Sequence, residues 1–330
     1  MGIAVPFPET QPPGYAWLED EPVFDPDRHL QLEAPDEILF LADLGYDEAE
    51  IATKATPVAA SSPFRMLSDE GAAIMLDRAR RLRAFATPAG DRIESVTRGG
   101  CYRSRWLRDL CTSQEVTAHL EAIYGTRIAP HAMPLHLGHL NYGPSRIDTA
   151  IDKWHHDTLP LDFVMTVTDP ADVAGGRFEY FLGTKQEAAA LAAAGQTPPP
   201  ERTVTPEFGG AGWAIALHGD MVVHRAGPLS ELTERISMVN GYVSLDTSRD
   251  QQSRSADLIV VDDPHALYAE WAKFAAWRSH ERLGTLLADL DFDADPEAVA
   301  DRLESAIADA AQAVAEMRAG APLQIDHYGG

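Results

Sequence analysis

Three side chains able to hold a metal ion fall in two distant places in this chain. His155 and Asp157 sit in the run Trp154-His155-His156-Asp157, and His224 closes Asp220-Met221-Val222-Val223-His224. Residues two apart in an extended segment leave the same face, so His155 and Asp157 project together, and His224 has to arrive on another strand. Two imidazoles and one carboxylate occupy one face of a six-coordinate ion and leave its other positions open. Taken singly, each half has a plain reading: His-x-Asp arises by chance, and a lone histidine at the end of an apolar strand is usually a hydrogen-bonded core residue. The set in order is what points to chemistry. Gly175-Gly176-Arg177-Phe178 lies between the halves, and Arg235 and Ser237 follow His224. Arg235 and Ser237 again share a strand face, where a guanidinium and a hydroxyl can grip a carboxylate.

Together these residues resemble the phytanoyl-CoA dioxygenase-like branch of the iron(II)/2-oxoglutarate-dependent dioxygenases. The resemblance is carried by Trp-His-x-Asp-Thr at 154–158, by Gly-Gly-x-Phe with the later Gly183-Thr184-Lys185, and by the His224-to-Arg235 interval. It spans roughly residues 130–245. It implies Fe(II) on His155, Asp157 and His224, with 2-oxoglutarate and O2 as co-substrates, and it carries Trp154 as a further contact of the cofactor site. It also implies that Arg235, helped by Ser237, receives the far carboxylate of 2-oxoglutarate. Succinate and CO2 are then the co-products, and hydroxylation is the default outcome beside desaturation, cyclisation or epimerisation.

Two departures stand out. The branch often has Pro-Gly-Ser-His where this chain reads Leu182-Gly183-Thr184-Lys185, a loop difference that bears on substrate contacts more than on iron. His156 replaces the commoner Gln; adjacent to Asp157 it points to the opposite face, which leaves His155 as the ligand. In the related halogenases the position of Asp157 resembles a small residue, so the retained carboxylate argues for oxygenation. Two readings of other classes stay open: a cupin-like metalloenzyme that does without 2-oxoglutarate, and an inactive barrel acting as a binding module.

Holding three ligands from remote positions takes a rigid scaffold. From Arg127 onward the apolar period becomes that of strands. Leu135, Leu137, His139 and Asn141 share one face of the first, and His136, Leu140 and Tyr142 the other. His139 and Asn141 are therefore the candidate pocket contacts, with His136 and Tyr142 as the reversed-register pair. The alternation separates His136 from His139, which argues against a second metal site with His131. Phe163–Thr168, 177–182, Trp213–Leu217, Met221–His224 and Arg235–Leu245 read as further strands, with Phe178, Tyr180 and Phe181 suggesting a partly apolar ligand. The alanine-rich helix 187–194 and its proline loop are either a lid or a surface helix.

The expected fold is mainly β with helical additions, a double-stranded β-helix (jelly-roll) core braced by N- and C-terminal helices. Residues 1–125 are read as an extended arm and bracing helices, 126–246 as the catalytic core, and 247–330 as helices packed on it. In the first part Asp36 and Ser68 are candidate helix caps, 47–54 reads as a further helical turn and 113–124 as a further helix with Gly125 after it. Arg78, Arg80, Arg81 and Arg83 are read as the solvated side of the helix after Ser68. In the last part, 248–256 reads as a mobile connector. Leu303, Ile307, Ala310, Val314 and Met317 recur at heptad-like intervals, a stripe for intramolecular packing or for a homodimer seam.

Composition narrows the partners. With 27 basic against 51 acidic residues in 330, the net charge of −24 repels phosphate backbones and anionic bilayers, which argues against nucleic acid and membrane surfaces. A small or medium organic metabolite is the expected substrate. A CoA thioester would need basic residues at the mouth, and the Arg78–Arg83 helix is the one cluster on offer. Cys101 and Cys111 make no disulfide framework, and with no evident signal peptide the expected location is cytoplasmic.

Overall fold

A computed structural model of the chain describes residues 5–90, 92–147, 150–249, 253, 255–292, 295–320 and 328. The core strands are, in order, His139–Tyr142, Ala150–His155, Leu161–Thr166, Phe178–Phe181, Thr203–Val204, Trp213–Leu217, His224–Pro228 and Ile236–Ser244. The first, third, sixth and eighth lie side by side in one antiparallel sheet, and the other four form a second. This switching between sheets is the jelly roll, or double-stranded β-helix, that the alternating patterns predict. Leu161–Thr166 and Ile236–Ser244 are buried along nearly their whole length because helices cover one face of the larger sheet and the cavity lies on the other.

The larger sheet extends beyond the barrel. Val58–Ser61 and Ile38–Phe40 continue it from Trp213–Leu217, and Ile93–Thr97 and Thr87–Ala89 continue it from His139–Tyr142. Phe64–Arg65 adds a short pairing to Trp213–Leu217, and Ile128–Pro130 one to Ile236–Ser244. The boundary expected at 125/126 therefore does not divide the sheet, since the N-terminal part supplies strands as well as bracing helices. The helix expected after Asp36 is instead the strand Ile38–Phe40, followed by a 3-10 turn Leu41–Leu44 that left-handed Gly45 closes. Ile38 and Leu39 pair with Ser61 and Ala60, and that sheet pairing overrides the helical spacing.

The cap read at Ser68 acts as such, and Asp47 and Ser113 prove to be caps as well. Asp47 opens Glu48–Thr53, Ser68 opens Asp69–Leu82, and Ser113 opens Gln114–Tyr124, each by accepting a hydrogen bond from a first-turn N–H. Met75, Ala79, Leu82, Val116 and Leu120 pack with Phe163, Met165 and Met238 in one core. A helix Arg105–Cys111 joins them that the periodicity does not announce. Arg78 departs from the solvated side: it is buried and ion-paired with Glu21 and Asp77, while Arg80 pairs with Glu234.

At the C-terminal end, Pro264–Asp289 and Pro296–Ala319 form a helical hairpin whose Leu267, Trp271 and Phe274 pack on Met133, Leu135 and Val243. The heptad-like stripe is spent inside the chain only in part: Met317 packs on this core and Ala310 is half-buried. Leu303, Ile307 and Val314 are 47%, 43% and 41% exposed, and Ala306 and Ala313 turn inward instead. Residues 250–252 and 254 of the expected connector lie outside the described residues. No helix among the described residues is long and apolar enough to cross a membrane.

Glu270 fastens this hairpin to the core. Its carboxylate accepts from Tyr102 Oη at 2.7 Å and from the Leu135 N–H at 3.0 Å, and burial pushes its pKa up from 4.5 to about 7. The folded chain thus holds this proton more tightly than the unfolded chain does. The stability it contributes is present in full below pH 4.5 and is lost as pH rises through 7, an effect of about 3 kcal/mol. Urea unfolding at acid and at mildly alkaline pH should show wild type losing stability relative to Glu270→Gln, which lacks the titration; parallel curves would contradict this.

Candidate metal and carboxylate site

His155 ends one strand of the smaller sheet and His224 begins its neighbour, and the two residues are direct cross-strand partners. Their rings lie 4.3 Å apart between centroids. Asp157 follows His155 after one residue, tied down by its N–H donating to the Gly219 carbonyl at 2.7 Å. His155 Nε2 is 3.3 Å from Asp157 Oδ1, and His224 Nε2 is 3.5 Å from Oδ2. One ligand atom from each of the three falls within 4.8 Å of the others, the one such group of three among the described residues.

Local backbone fixes how the imidazoles present themselves. His155 Nδ1 lies 2.6 Å from the Lys153 carbonyl and His224 Nδ1 lies 3.0 Å from that of Val222. Each Nδ1 therefore carries the hydrogen, and each Nε2 turns a lone pair toward Asp157. Burial, and then the neighbouring His155, push the His224 pKa down to about 4. Burial by itself would raise the Asp157 carboxyl, but His224 and His155 outweigh it and hold the group well below the usual carboxylate range. Two imidazole Nε2 atoms beside a carboxylate are the donor set that a divalent ion of the iron or zinc kind takes.

The same cavity holds Arg235 and Ser237. Arg235 is 8% exposed; its Nε donates to the Gly176 carbonyl at 3.2 Å and its Nη1 to Ser237 Oγ at 2.8 Å. Among the described residues no carboxylate lies within 4 Å of it, and burial lowers its pKa only to about 10, so the guanidinium stays charged. The glycine pair makes room for this contact. Gly175 and Gly176 have φ of +81° and +62°, and a Cβ on Gly176 would press within 2.8 Å of Leu229 and 2.9 Å of Ile151.

Asn141 is the cross-strand partner of Ser237 and lines the cavity with His139. His136 lines it too, against expectation. The strand starts only at His139; Pro134–His136 is a 3-10 turn and left-handed Gly138 resets the parity, so both histidines reach the same wall. Arg98 contacts both and pairs with Asp262 at 2.7 Å. Burial and then Arg98 keep both imidazoles uncharged, His136 at about 4. Tyr142 faces the other way, donating to the Ala79 carbonyl. His131 meets Ser253 and stacks on Phe274 in the core.

Trp154 is a correction. With His155 turned inward, its neighbour faces outward, and the indole packs with Phe181, Ala188 and Val223 away from the cavity. Ala188 belongs to the helix Lys185–Ala193, which is thereby a surface helix on the smaller sheet; residues 187–200 line no part of the cavity. Of the aromatic trio, Phe178 alone lines it. The hairpin residues Ala89, Arg92 and Ile93, together with Leu258 and Val261, form walls that motif reading misses.

Beneath the ligands, Gly219 permits a close approach. A Cβ there would overlap the Asp162 carboxylate and come within 2.8 Å of the Leu159 carbonyl and 3.0 Å of Asp157 Cβ. Gly219→Ala should cost about 1–3 kcal/mol in denaturant unfolding and displace Asp157 as well. An alanine variant as stable as wild type would contradict this packing.

No protein-family model matches the sequence, and no curated protein matches it. Among solved structures, the chain is similar to the epimerase SnoN in complex with Fe3+, alpha ketoglutarate and nogalamycin RO, at 19% identity over 68% of this chain and 90% of that one, with a TM-score of 0.44. It is also similar to a nickel complex of the non-heme monooxygenase ThoJ, at 16% identity over 72% and 99%, with a TM-score of 0.41. A third is EctD from S. alaskensis with 2-oxoglutarate and 5-hydroxyectoine, at 15% identity over 70% and 87%, with a TM-score of 0.40. At this distance none of the three places an activity, a metal or a ligand on this chain.

Proposed function

We propose that this chain is an iron(II)- and 2-oxoglutarate-dependent oxygenase that acts on a small or medium organic metabolite, with hydroxylation as its default outcome. The observation that carries the reading is Arg235, a buried guanidinium with no carboxylate partner among the described residues, in one cavity with a two-histidine, one-carboxylate face. A buried cation left unpaired is costly, so the position is built to meet an anion. Ferrous iron with 2-oxoglutarate would supply the oxidising power, O2 reduction being coupled to decarboxylation of the keto acid to succinate and CO2.

The chain's own residues do the rest. His155, Asp157 and His224 would hold the ion. Arg235 and Ser237 neutralise and orient the far carboxylate, which fixes the keto acid end toward the metal. The apolar walls from Ile93, Leu159, Phe178, Val239 and Val261 exclude water from the reacting carbon.

Charge in the cavity bears on the substrate. Arg92 pairs with Asp152, Arg98 with Asp262 and Arg225 with Glu179, which leaves Arg235 for the co-substrate and no lining arginine for an anionic metabolite. His139 Nε2 and Asn141 Oδ1 are buried without a partner among the described residues and would meet a substrate's oxygen or nitrogen function. An uncharged, partly apolar metabolite fits; a CoA thioester fits less well, since Arg78 and Arg80 are engaged in ion pairs and no arginine of the Arg78–Arg83 cluster lines the cavity.

The test is incubation of purified protein with Fe(II), 2-oxoglutarate and candidate metabolites under air, following succinate and mass shifts. Slow iron-dependent succinate release without any metabolite is expected from the site alone. Failure of the iron-loaded protein to bind 2-oxoglutarate would exclude the reading.

A further inference from the structure

Asp152 and His155 stand three residues apart, which in a regular strand puts them on opposite faces. Yet both line the cavity. The cause is the pairing with the neighbouring strand. His155 faces His224 and Asp152 faces Ala226, so three steps on one strand span two on the other. This is a β-bulge, the device that re-aims a side chain beside a site.

The bulge turns the Asp152 carboxylate toward the ligand. Its Oδ1 is 3.5 Å from His155 Nδ1, the same nitrogen that meets the Lys153 carbonyl inside the bulge at 2.6 Å. Arg92, from the loop between Thr87–Ala89 and Ile93–Thr97, closes on the other side, with Nε 2.8 Å from Oδ1 and Nη2 3.3 Å from Oδ2. Asp152 is 5% exposed, so its charge acts through little water. The Nδ1 hydrogen goes to the Lys153 carbonyl, and Asp152 Oδ1 accepts no hydrogen bond among the described residues, so the carboxylate acts on the ring as a nearby buried charge that favours the Nδ1–H end and strengthens Nε2 donation to a metal.

We propose that Asp152, oriented by Arg92, is a positioning residue for the metal ligand His155. The proposal rests on the iron reading above. It gives the bulge a purpose: without it the carboxylate would point away from the cavity and His155 would keep only its backbone contact.

Anaerobic calorimetric titration of Fe(II) into metal-free wild type, Asp152→Ala and Asp152→Asn tests this, with unfolding of the metal-free proteins measured in parallel. Asp152→Ala should weaken Fe(II) binding by about 10- to 100-fold. Asp152→Asn keeps the shape and an acceptor but not the charge, and should fall between alanine and wild type. A folded alanine variant that binds Fe(II) as wild type does, whatever its stability, overturns the proposal. Should alanine not fold, an asparagine variant with wild-type affinity overturns it equally. Wild type that binds no Fe(II) is a different result, for it removes the iron reading on which the proposal stands.

Discussion

Replacing Asp157 with alanine should weaken Fe(II) binding by more than about 100-fold, beyond the range that outer partners of a ligand produce. Asp157 supplies the negative charge of the face, and its oxygens sit 3.3 Å and 3.5 Å from the two Nε2 atoms. What remains after its loss is a pair of imidazoles with no anionic oxygen donor, one ligand short of the mixed nitrogen and oxygen set. The fold should survive, because Asp157 lies past the end of its strand and its backbone tie to Gly219 is kept. Equilibrium dialysis of the folded variant against Fe(II) decides the matter. Retention of iron at wild-type affinity would show that the three residues do not act as one ligand set.

The second large effect is expected at Arg235, and it has two signs. Arg235→Gln should weaken 2-oxoglutarate binding by about 30-fold or more, since losing one partner of a buried charge pair costs roughly 2–5 kcal/mol. The ligand set is untouched, so Fe(II) affinity should hold. Metal-free protein should instead melt at a higher temperature than wild type, because a buried cation without a carboxylate partner is replaced by a neutral amide. A cupin-like metalloenzyme predicts the opposite pattern for the first readout, with activity indifferent to Arg235. Calorimetry with 2-oxoglutarate and thermal unfolding of the same two proteins separate the cases.

The parts of this site legible in the sequence were those that depend on two-residue spacing at a strand's end, for Asp157 lies just past its strand and Arg235 just before its own. His155 with Asp157, and Arg235 with Ser237, are pairs two apart, and each pair lands on one face as alternation requires. The jelly roll was legible for a related reason, since its core strands carry apolar, β-branched runs between turn residues. Alternation failed where the backbone breaks step. The bulge in Ala150–His155 hid Asp152, and the turn at Pro134–His136 with left-handed Gly138 put His136 on the wall that His139 shares.

Other misses come from distance or from weak local signals. Arg98 and Asp262 are far apart in sequence and meet only through the fold, so no spacing announces them. The strand Val58–Ser61 reads Val-Ala-Ala-Ser, a run with little β preference of its own, and it is held by pairing with Ile38–Phe40 and Trp213–Leu217. The heptad-like positions of the last helix divide, with Met317 on the core and Leu303, Ile307 and Val314 exposed, because Ala306 and Ala313 mark the side the hairpin buries.

Titration of 2-oxoglutarate into the protein with and without Fe(II), in the absence of oxygen, probes the joint action of the metal face and Arg235. Equimolar binding that requires the metal, and that Arg235→Gln weakens, is the predicted result. Binding of 2-oxoglutarate that is indifferent to Fe(II), or none in its presence, would contradict a single site in which the ion and the guanidinium hold opposite ends of one keto acid.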